Sequence, residues 1–247
     1  MSARWPYPKI VAHRGGGRLA PENTLAAIRL GAALGFRGVE FDVMLAGDGT
    51  PVLIHDETLA RTTGARGEVA RTPYARLAEL DAGAWRGRKW RGERIPTFEQ
   101  AARLCRELGL WANVEIKPAA GYERRTGEAV ALAARELWRG AALPPVLSSF
   151  SPVSLAAART AAPELPRGLL VGHIPERWRE AMQDLECIAL HCNYRALKPD
   201  VAEAVRDADY GLLCWTVNDR RTAHRLLGWG VNCLVTDALE RIGPHFR

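Results

Sequence analysis

The chain has 247 residues, 47% of them apolar, which is enough to bury a large core in one domain of barrel size. Its formal charge is +6, from 34 basic and 28 acidic residues, and the excess arginines are scattered along the chain. That scatter argues against a nucleic-acid-binding surface, and no segment approaches the ~20 apolar residues of a membrane span. The first residues contain no apolar leader, so we expect a soluble cytoplasmic protein without stable membrane insertion.

The number and spacing of the cysteines indicate whether the protein works in a reducing compartment and whether it contains a zinc site. The odd number of cysteines includes no CxxC pair and lacks the histidine spacing of a zinc site. We therefore expect core thiols in a reducing compartment. The cysteines are Cys105, Cys187, Cys192, Cys214 and Cys233.

Short apolar runs rich in valine, isoleucine and leucine alternate with longer helical patterns, which indicates repeated βα units and a parallel sheet. Nine strands are predicted, and eight of them are each followed by a plausible helix, as a TIM (βα)8 barrel in a single domain over residues 1–247 requires. The predicted strands span residues 10–13, 39–45, 51–55, 112–117, 145–149, 168–171, 187–191, 212–217 and 232–236.

The predicted strand 51–55 is the surplus one. Asp48-Gly49 separates it from the strand before it, and an Asp-Gly pair between two apolar runs is typical of a tight hairpin. A parallel connection needs about a dozen residues, so this strand is expected to run antiparallel. Residues 56–96 then become rich in arginine and glycine. They predict a small insertion above the barrel mouth, with a short helix near 73–80.

The stretch IVAHRGGGRLAPENTL begins the barrel. It predicts a buried strand that ends in His13 and Arg14, followed by three glycines that are free to adopt positive φ. Asn23 and Thr24 are both candidates for the cap of the first helix, and we favour Thr24.

Two predicted strands carry acidic residues on one face. In GVEFDVML the apolar residues share one face, and Glu40 and Asp42 share the other, with Cα atoms about 6.5 to 7 Å apart. NVEIKP repeats the pattern and places Glu115 and Lys117 on one face. If the apolar faces meet the surrounding helices, these polar side chains face the barrel axis.

Three carboxylates that converge inside a barrel repel one another and need a counter-charge. Glu40, Asp42 and Glu115 offer only oxygen ligands, which favours one divalent cation, Mg²⁺ or Ca²⁺, over zinc. The alternative is a buried ion-pair network in which Arg14 and Lys117 neutralise the carboxylates without a metal.

His13 and His55 end two predicted strands near this cluster. A lone histidine at a strand end is usually a packing residue. A pair beside three carboxylates and two cations favours phosphoryl chemistry, because imidazole serves as acid or base near neutral pH. Arg14 and Lys117 suit phosphate, one as a planar fork and the other as a point charge.

Other candidates at strand ends are weaker. Phe150 and Trp215 suit apolar contact with a small organic group, but they suit the core equally well. His191 and Asn193 end another strand and are candidates for a hydrogen bond to a hydroxyl.

These residues lie in short motifs that follow one another along essentially the whole chain. The motifs are AHRGG with PENT, VEFDV, LIHD, NVEIKP, LSSF, WTVN and VTDA. Each is weak alone, but the ordered set resembles the glycerophosphodiester phosphodiesterases, above all their cytoplasmic bacterial members associated with glycerol-phosphate uptake. The resemblance implies a TIM barrel with a small inserted segment. It also implies metal-dependent hydrolysis of glycerophosphodiesters, such as glycerophosphocholine and glycerophosphoethanolamine, to sn-glycerol 3-phosphate and an alcohol.

The resemblance implies a role for each of the candidate residues. The motifs match the catalytic pair at His13 and His55, the phosphate contacts at Arg14 and Lys117, the metal ligands at Glu40, Asp42 and Glu115, and the glycerol side of the site at Phe150 and Trp215.

Two other functions stay open. A lysophospholipase D needs an apolar channel or a membrane-facing helix; Trp85 and Trp90 of the insertion are compatible with this, but its arginine and glycine content is not. A non-catalytic phosphodiester-binding barrel has little use for the acid–base pair of His13 and His55. We expect a small-molecule substrate as partner and no nucleic acid, and the oligomeric state, monomer or dimer, is left open.

Overall fold

The computed structural model describes residues 5–246, whose strands form a closed barrel. The strands are β1 (Ile10–Ala12), β2 (Gly38–Leu45), β3 (Pro51–Leu53), β4 (Trp111–Ile116), β5 (Val146–Ser149), β6 (Arg167–Val171), β7 (Ala189–Asn193), β8 (Gly211–Trp215) and β9 (Cys233–Thr236). They pair in the order β1-β9-β8-β7-β6-β5-β4-β2-β3, and β1 also pairs with β2. Eight parallel strands therefore close on themselves, which confirms the predicted TIM barrel.

Helices cover the outside of the barrel. Those in residues 5–246 are α1 (Leu25–Ala33), α2 (Ala60–Thr63), α3 (Tyr74–Leu77), α4 (Phe98–Glu107), α5 (Glu123–Leu137), α6 (Pro152–Ala161), α7 (Trp178–Asp184), α8 (Pro199–Asp207) and α9 (Arg220–Gly228). The expectation of a helix after every barrel strand is wrong for β9. Residues 237–246 form turns there, and Phe246 packs on His224 of α9 with ring centroids 4.5 Å apart.

Alternation along β2 divides its side chains between two environments. Val39, Phe41 and Val43 are fully buried in the core between strands and helices, where Phe41 packs on Phe98 of α4 with ring centroids 6.1 Å apart. The opposite face carries the acidic residues into the barrel. Burial of the outer face stabilises the strand, since each large apolar side chain contributes about 1.5–3 kcal/mol.

The chain reverses directly after β2. Strand β3 runs antiparallel to it, with Val43 opposite Leu53, which confirms the predicted hairpin. The backbone N–H of Ile54 then donates to the carbonyl oxygen of Asp42 at 3.2 Å. This reversal brings the next residue, His55, back to the end of β2 that carries Asp42.

Residues 56–96 contain short helical turns, and α3 lies inside the predicted helical stretch 73–80. They bury their own small core against the hairpin, in which Leu59, Val69 and Leu77 join Met44 and Val52. Asp81 fastens the end of this segment, because its carboxylate accepts from the backbone N–H groups of Gly83, Ala84 and Gly92 at 2.8–2.9 Å. The segment is thus packed on β2 and β3.

Aromatic residues close the other end of the barrel. The ring centroid of Tyr7 lies 4.9 Å from that of Trp5 and 4.7 Å from that of Trp111. These three rings pack on the side chains of Val11 and Leu213, which point into the barrel. The barrel interior is therefore filled with apolar side chains at its base and opens at the carboxyl ends of the strands.

The cysteines and the lengths of the helices bear on two expectations from the sequence, that of core thiols and that of no membrane span. The five cysteines are buried and unpaired, as core thiols are. Across residues 5–246, every helix is too short or too polar to traverse a bilayer. The cytoplasmic location stays a prediction.

Helix α1 packs directly on the glycine turn that follows β1. It begins after Thr24, whose hydroxyl oxygen accepts from the Ala27 N–H at 3.2 Å, so Thr24 is the cap. A Cβ atom at Gly31 would lie 2.3 Å from the carbonyl oxygen of Gly15. Only a glycine at position 31 lets the helix approach this backbone so closely.

We expect Gly31→Ala to lower the free energy of unfolding by about 1–3 kcal/mol, because the added methyl group overlaps the Gly15 carbonyl. Gly228→Ala is the matched control: it also lies in a helix, but an added Cβ meets no atom within 4 Å. That variant should be neutral or up to about 1 kcal/mol more stable. Urea unfolding of the two variants measures the difference, and equal effects would contradict the close packing.

Candidate active site

A cavity of about 120 Å³ opens at the carboxyl ends of the barrel strands. A larger groove of about 870 Å³ lies at the base, but the residues that line it include no carboxylate, so the smaller cavity is the chemical site. Asp42 lies directly behind the smaller cavity and is 1% exposed. Asn193 does not line it, and its side chain instead accepts from the backbone N–H of Arg195 at 3.0 Å. The remaining residues proposed from the sequence do line it: His13, Arg14, Glu40, His55, Glu115, Lys117, Phe150, His191 and Trp215.

The three carboxylates come from neighbouring strands. In the parallel register of β2 and β4, Glu40 lies beside Asn113 and Asp42 lies beside Glu115. One oxygen atom from each of Glu40, Asp42 and Glu115 lies within 4.8 Å of the other two. Oxygen atoms at this separation suit a shared hard cation.

Two cationic side chains face this cluster without neutralising all of it. Arg14 Nε lies 3.4 Å from Asp42 Oδ2, and Lys117 Nζ lies 3.3 Å from Glu115 Oε1 and 3.9 Å from Asp42 Oδ1. Within residues 5–246, the basic side chain at salt-bridge distance from Glu40 is His13, with Nε2 3.8 Å from Glu40 Oε2. The ion-pair network that was the alternative to a metal site therefore compensates the charge of Asp42 more fully than that of Glu40 or Glu115.

The pKa values of the three carboxyl groups show that their charges are unequally compensated. Burial, followed by the charge of Asp42, raises the pKa of Glu40 to about 7 and that of Glu115 to about 8. Burial also favours the neutral form of Asp42, but the charges of Arg14, His55 and Lys117 outweigh it and lower its pKa. A divalent cation would remove this repulsion, so the donor set fits one and indicates a divalent-metal site.

Each of the two histidines is oriented by a carboxylate. His13 Nδ1 lies 2.6 Å from Asp237 Oδ1, and His55 Nδ1 lies 2.7 Å from Asp56 Oδ1. These contacts occupy the Nδ1 atoms and leave the Nε2 atoms as the free ring nitrogens. Hydrogen bonds of this kind fix the tautomer and the plane of an imidazole.

The histidine pKa values move in opposite directions. Burial lowers the pKa of His13, but the hydrogen bond to Asp237 and the charge of Glu40 outweigh burial and raise it overall. For His55, burial prevails over the opposing charge of Asp42 and lowers the pKa. Groups whose pKa values are pushed apart suit the donor and acceptor roles in one proton-transfer reaction.

The insertion supports this site through Arg61 on α2. Its guanidinium donates to both carboxylate oxygens of Glu22 at 2.7 Å and to Asp56 Oδ2 at 2.5 Å. Glu22 in turn accepts from Arg14 at 2.6 Å. A single arginine therefore connects the phosphate candidate Arg14 with Asp56, the partner of His55.

Known proteins resemble the chain in sequence and in structure. Residues 13–241 match the Glycerophosphoryl diester phosphodiesterase family. The chain belongs to that family. A glycerophosphodiester phosphodiesterase of Caldanaerobacter subterraneus subsp. tengcongensis is 34% identical over 94% of this chain and 95% of that protein. The enzyme class expected from the sequence is thereby confirmed: the chain is a glycerophosphodiester phosphodiesterase.

Solved structures of the family share the fold. An Oleispira antarctica phosphodiesterase, solved in complex with the product sn-glycerol-3-phosphate, superposes with a TM-score of 0.90 at 37% identity over 96% of both chains. A glycerophosphodiester phosphodiesterase of Agrobacterium tumefaciens gives a TM-score of 0.77 at 26% identity, over 93% of this chain and 96% of that one. Both confirm the family's barrel in this chain.

Sequence reasoning missed the residues that orient this family member's site. Asp56, Asp237 and Glu22 lie within the motifs LIHD, VTDA and PENT, so their position beside recognised residues was the available signal. Asn23, the second cap candidate, has φ of 58° and joins Asp42 through two hydrogen bonds instead. Its amide donates to Asp42 Oδ2 at 2.8 Å, and its Oδ1 accepts from the Asp42 N–H at 3.1 Å.

The raised pKa values of Glu40 and Glu115 make the stability of the metal-free protein depend on pH. Between pH 4.5 and pH 8 the unfolded chain loses these protons before the folded protein does. The contribution of these two groups to the free energy of unfolding therefore falls as the pH rises through this window and levels off above it. Urea unfolding in EDTA at several pH values measures the slope.

The variant Glu115→Gln should show a clearly shallower fall across the same window, because one of the two groups no longer titrates. Glu107→Gln, on an exposed position of α4, is the matched control and should keep the wild-type slope. An unchanged slope in Glu115→Gln would contradict the uncompensated burial of this carboxyl group.

Proposed function

We propose that the chain hydrolyses glycerophosphodiesters, such as glycerophosphocholine and glycerophosphoethanolamine, to sn-glycerol 3-phosphate and an alcohol by acid–base catalysis with two histidines. The observation that carries this proposal is the convergence of His13 and His55 on one cavity with the carboxylate cluster. The complex of the Oleispira antarctica relative with sn-glycerol-3-phosphate supports the same product here.

The proposed metal ligands are Glu40, Asp42 and Glu115, with Mg²⁺ or Ca²⁺ as the ion because all three donors are carboxylate oxygens. When bound, a divalent cation supplies positive charge that stabilises the phosphate in the transition state. Arg14 and Lys117 are the proposed contacts for the nonbridging phosphate oxygens. Both lie beside the carboxylates, so the phosphate would be held between protein cations and the metal site.

Proton transfer is assigned to the histidines through their Nε2 atoms, since Asp237 and Asp56 occupy the Nδ1 atoms. One histidine takes a proton from the nucleophile, which is either water or the C2 hydroxyl of the substrate. The other gives a proton to the alcohol oxygen as its bond to phosphorus breaks. If the C2 hydroxyl attacks, a cyclic phosphate forms, and water opens it in a second step with the same residues.

The glycerol side of the site is assigned to Phe150 and Trp215. Their rings form a T-shaped pair with centroids 5.5 Å apart at the cavity mouth. Phe150 is 47% exposed, which leaves this edge of the site open to solvent. The assigned residues address the glycerol phosphate half of the substrate and none addresses the leaving alcohol, so broad tolerance of that alcohol is expected.

The first test is the release of sn-glycerol 3-phosphate from glycerophosphocholine and glycerophosphoethanolamine by the purified protein with Mg²⁺, with Ca²⁺ and with EDTA. We expect release from both substrates with a divalent cation and none with EDTA. His55→Ala should reduce turnover about 10²–10⁴-fold, the usual contribution of a general acid or base. Wild-type turnover in His55→Ala would refute the role of that histidine.

The same assay separates the alternatives. Release of choline from lysophosphatidylcholine in preference to glycerophosphocholine would indicate a lysophospholipase D. Binding of glycerophosphocholine without cleavage under any metal condition would indicate a phosphodiester-binding barrel.

A pH–rate profile tests the two His–Asp pairs. Asp237→Asn removes a partner that raises the pKa of His13, so the limb of the kcat/KM profile set by His13 should move to lower pH. Asp56→Asn should move the other limb in the same direction, because Asp56 raises the pKa of His55. The limb that moves in each variant identifies which histidine acts as acid. Two unshifted profiles would contradict the pairing.

A further inference from the structure

A histidine that the proposed mechanism does not use lies inside the same cavity. His191 on β7 is 0% exposed and lines the cavity, yet neither of its ring nitrogens has a hydrogen-bond partner among residues 5–246. Its ring lies over Gly168 of β6, where a Cβ atom would be 2.4 Å from Nε2. The glycine therefore provides the space that this imidazole occupies inside the barrel.

A second unpartnered polar atom lies in the same cavity. Asn113 on β4 is 2% exposed, and its amide nitrogen donates to the hydroxyl oxygen of Ser148 at 3.1 Å. Its amide oxygen has no partner within the described part of the chain. Because Asn113 precedes Glu115 by two residues on the same face of β4, it lies deeper in the barrel than Glu115 and beside Glu40.

Buried polar atoms without partners are costly, at about 1–3 kcal/mol each, so a ligand that satisfies them gains affinity. Burial lowers the pKa of His191 to about 3, so at neutral pH the ring is uncharged and has one donor and one acceptor nitrogen. Asn113 adds an acceptor. Neutral groups of both kinds match a hydroxyl, which donates and accepts, better than a phosphate, which is bound by cations.

We propose that Asn113 and His191 form the specificity subsite for the hydroxyl groups of glycerol, deeper in the cavity than Glu115. This inference rests on the proposed function, since it takes the glycerol ester as substrate. The phosphate lies near Arg14 and Lys117, and the glycerol chain passes the ring pair of Phe150 and Trp215 toward the two neutral side chains inside the barrel. The subsite distinguishes glycerol phosphate esters from phosphate esters that lack hydroxyl groups.

Isothermal titration calorimetry tests the subsite without relying on turnover. The dissociation constants of sn-glycerol 3-phosphate and of inorganic phosphate are measured at one Mg²⁺ concentration for wild type, His191→Leu and Asn113→Leu. We expect each variant to bind sn-glycerol 3-phosphate about 10- to 100-fold more weakly, with phosphate affinity changed less than about twofold. His191→Gln, which keeps a donor and an acceptor, should recover part of the loss.

Cys192→Ala is the matched control. Cys192 follows His191 on β7 but belongs to the core between strands and helices, so its truncation should leave both dissociation constants unchanged. If His191→Leu and Asn113→Leu bind both ligands as wild type does, or lose both affinities alike, the subsite is refuted.

A comparison on the wild-type protein keeps the inference testable even if the variants do not fold. Propyl phosphate has the same carbon chain without hydroxyl groups, and it should bind at least about tenfold more weakly than sn-glycerol 3-phosphate. Equal affinities, or no binding of either, would overturn the inference. Tight, hydroxyl-dependent binding without hydrolysis of glycerophosphocholine would instead refute the proposed function while supporting the subsite.

Discussion

Mutual repulsion among three buried carboxylates is the constraint around which this barrel is organised. Barrel interiors usually hold branched apolar side chains, and burying charge there is costly without compensation. Glu40, Asp42 and Glu115 nevertheless point to the axis from adjacent strands, with oxygen atoms within 4.8 Å of each other. Arg14 and Lys117 offset part of the charge, and a divalent cation fits the remainder. The apolar core outside the strands supplies the stability that lets the interior carry this charge.

The hairpin after β2 positions His55, one of the two histidines of the site. Because β3 turns back on β2, the chain delivers His55 to the strand end that carries Asp42, and no helix could make so short a connection. The insertion then packs on the hairpin through its own apolar core. Through Arg61 it holds Asp56 and Glu22 together, so the segment outside the barrel helps to orient groups on both sides of the cavity.

The chemistry of the cavity changes with depth. Charged side chains line its upper part, the neutral Asn113 and His191 lie further inside, and an aromatic edge remains partly exposed at the mouth. This gradient follows from the strands themselves, since every second residue faces inward and each step of two residues moves about 6.5 to 7 Å along the strand.

The sequence by itself determined the barrel, the hairpin and the residues that meet in the cavity, because strand alternation, the Asp48-Gly49 turn and the order of short motifs are local features. Only the tertiary structure decided which partners those residues have. Asp237 reaches His13 from 224 positions away, and Asn23 binds Asp42 instead of capping a helix. His191 fits inside the barrel because Gly168 on the neighbouring strand leaves room for its ring. Such pairings depend on strand register and barrel closure, which bring distant positions together and which local periodicity does not encode.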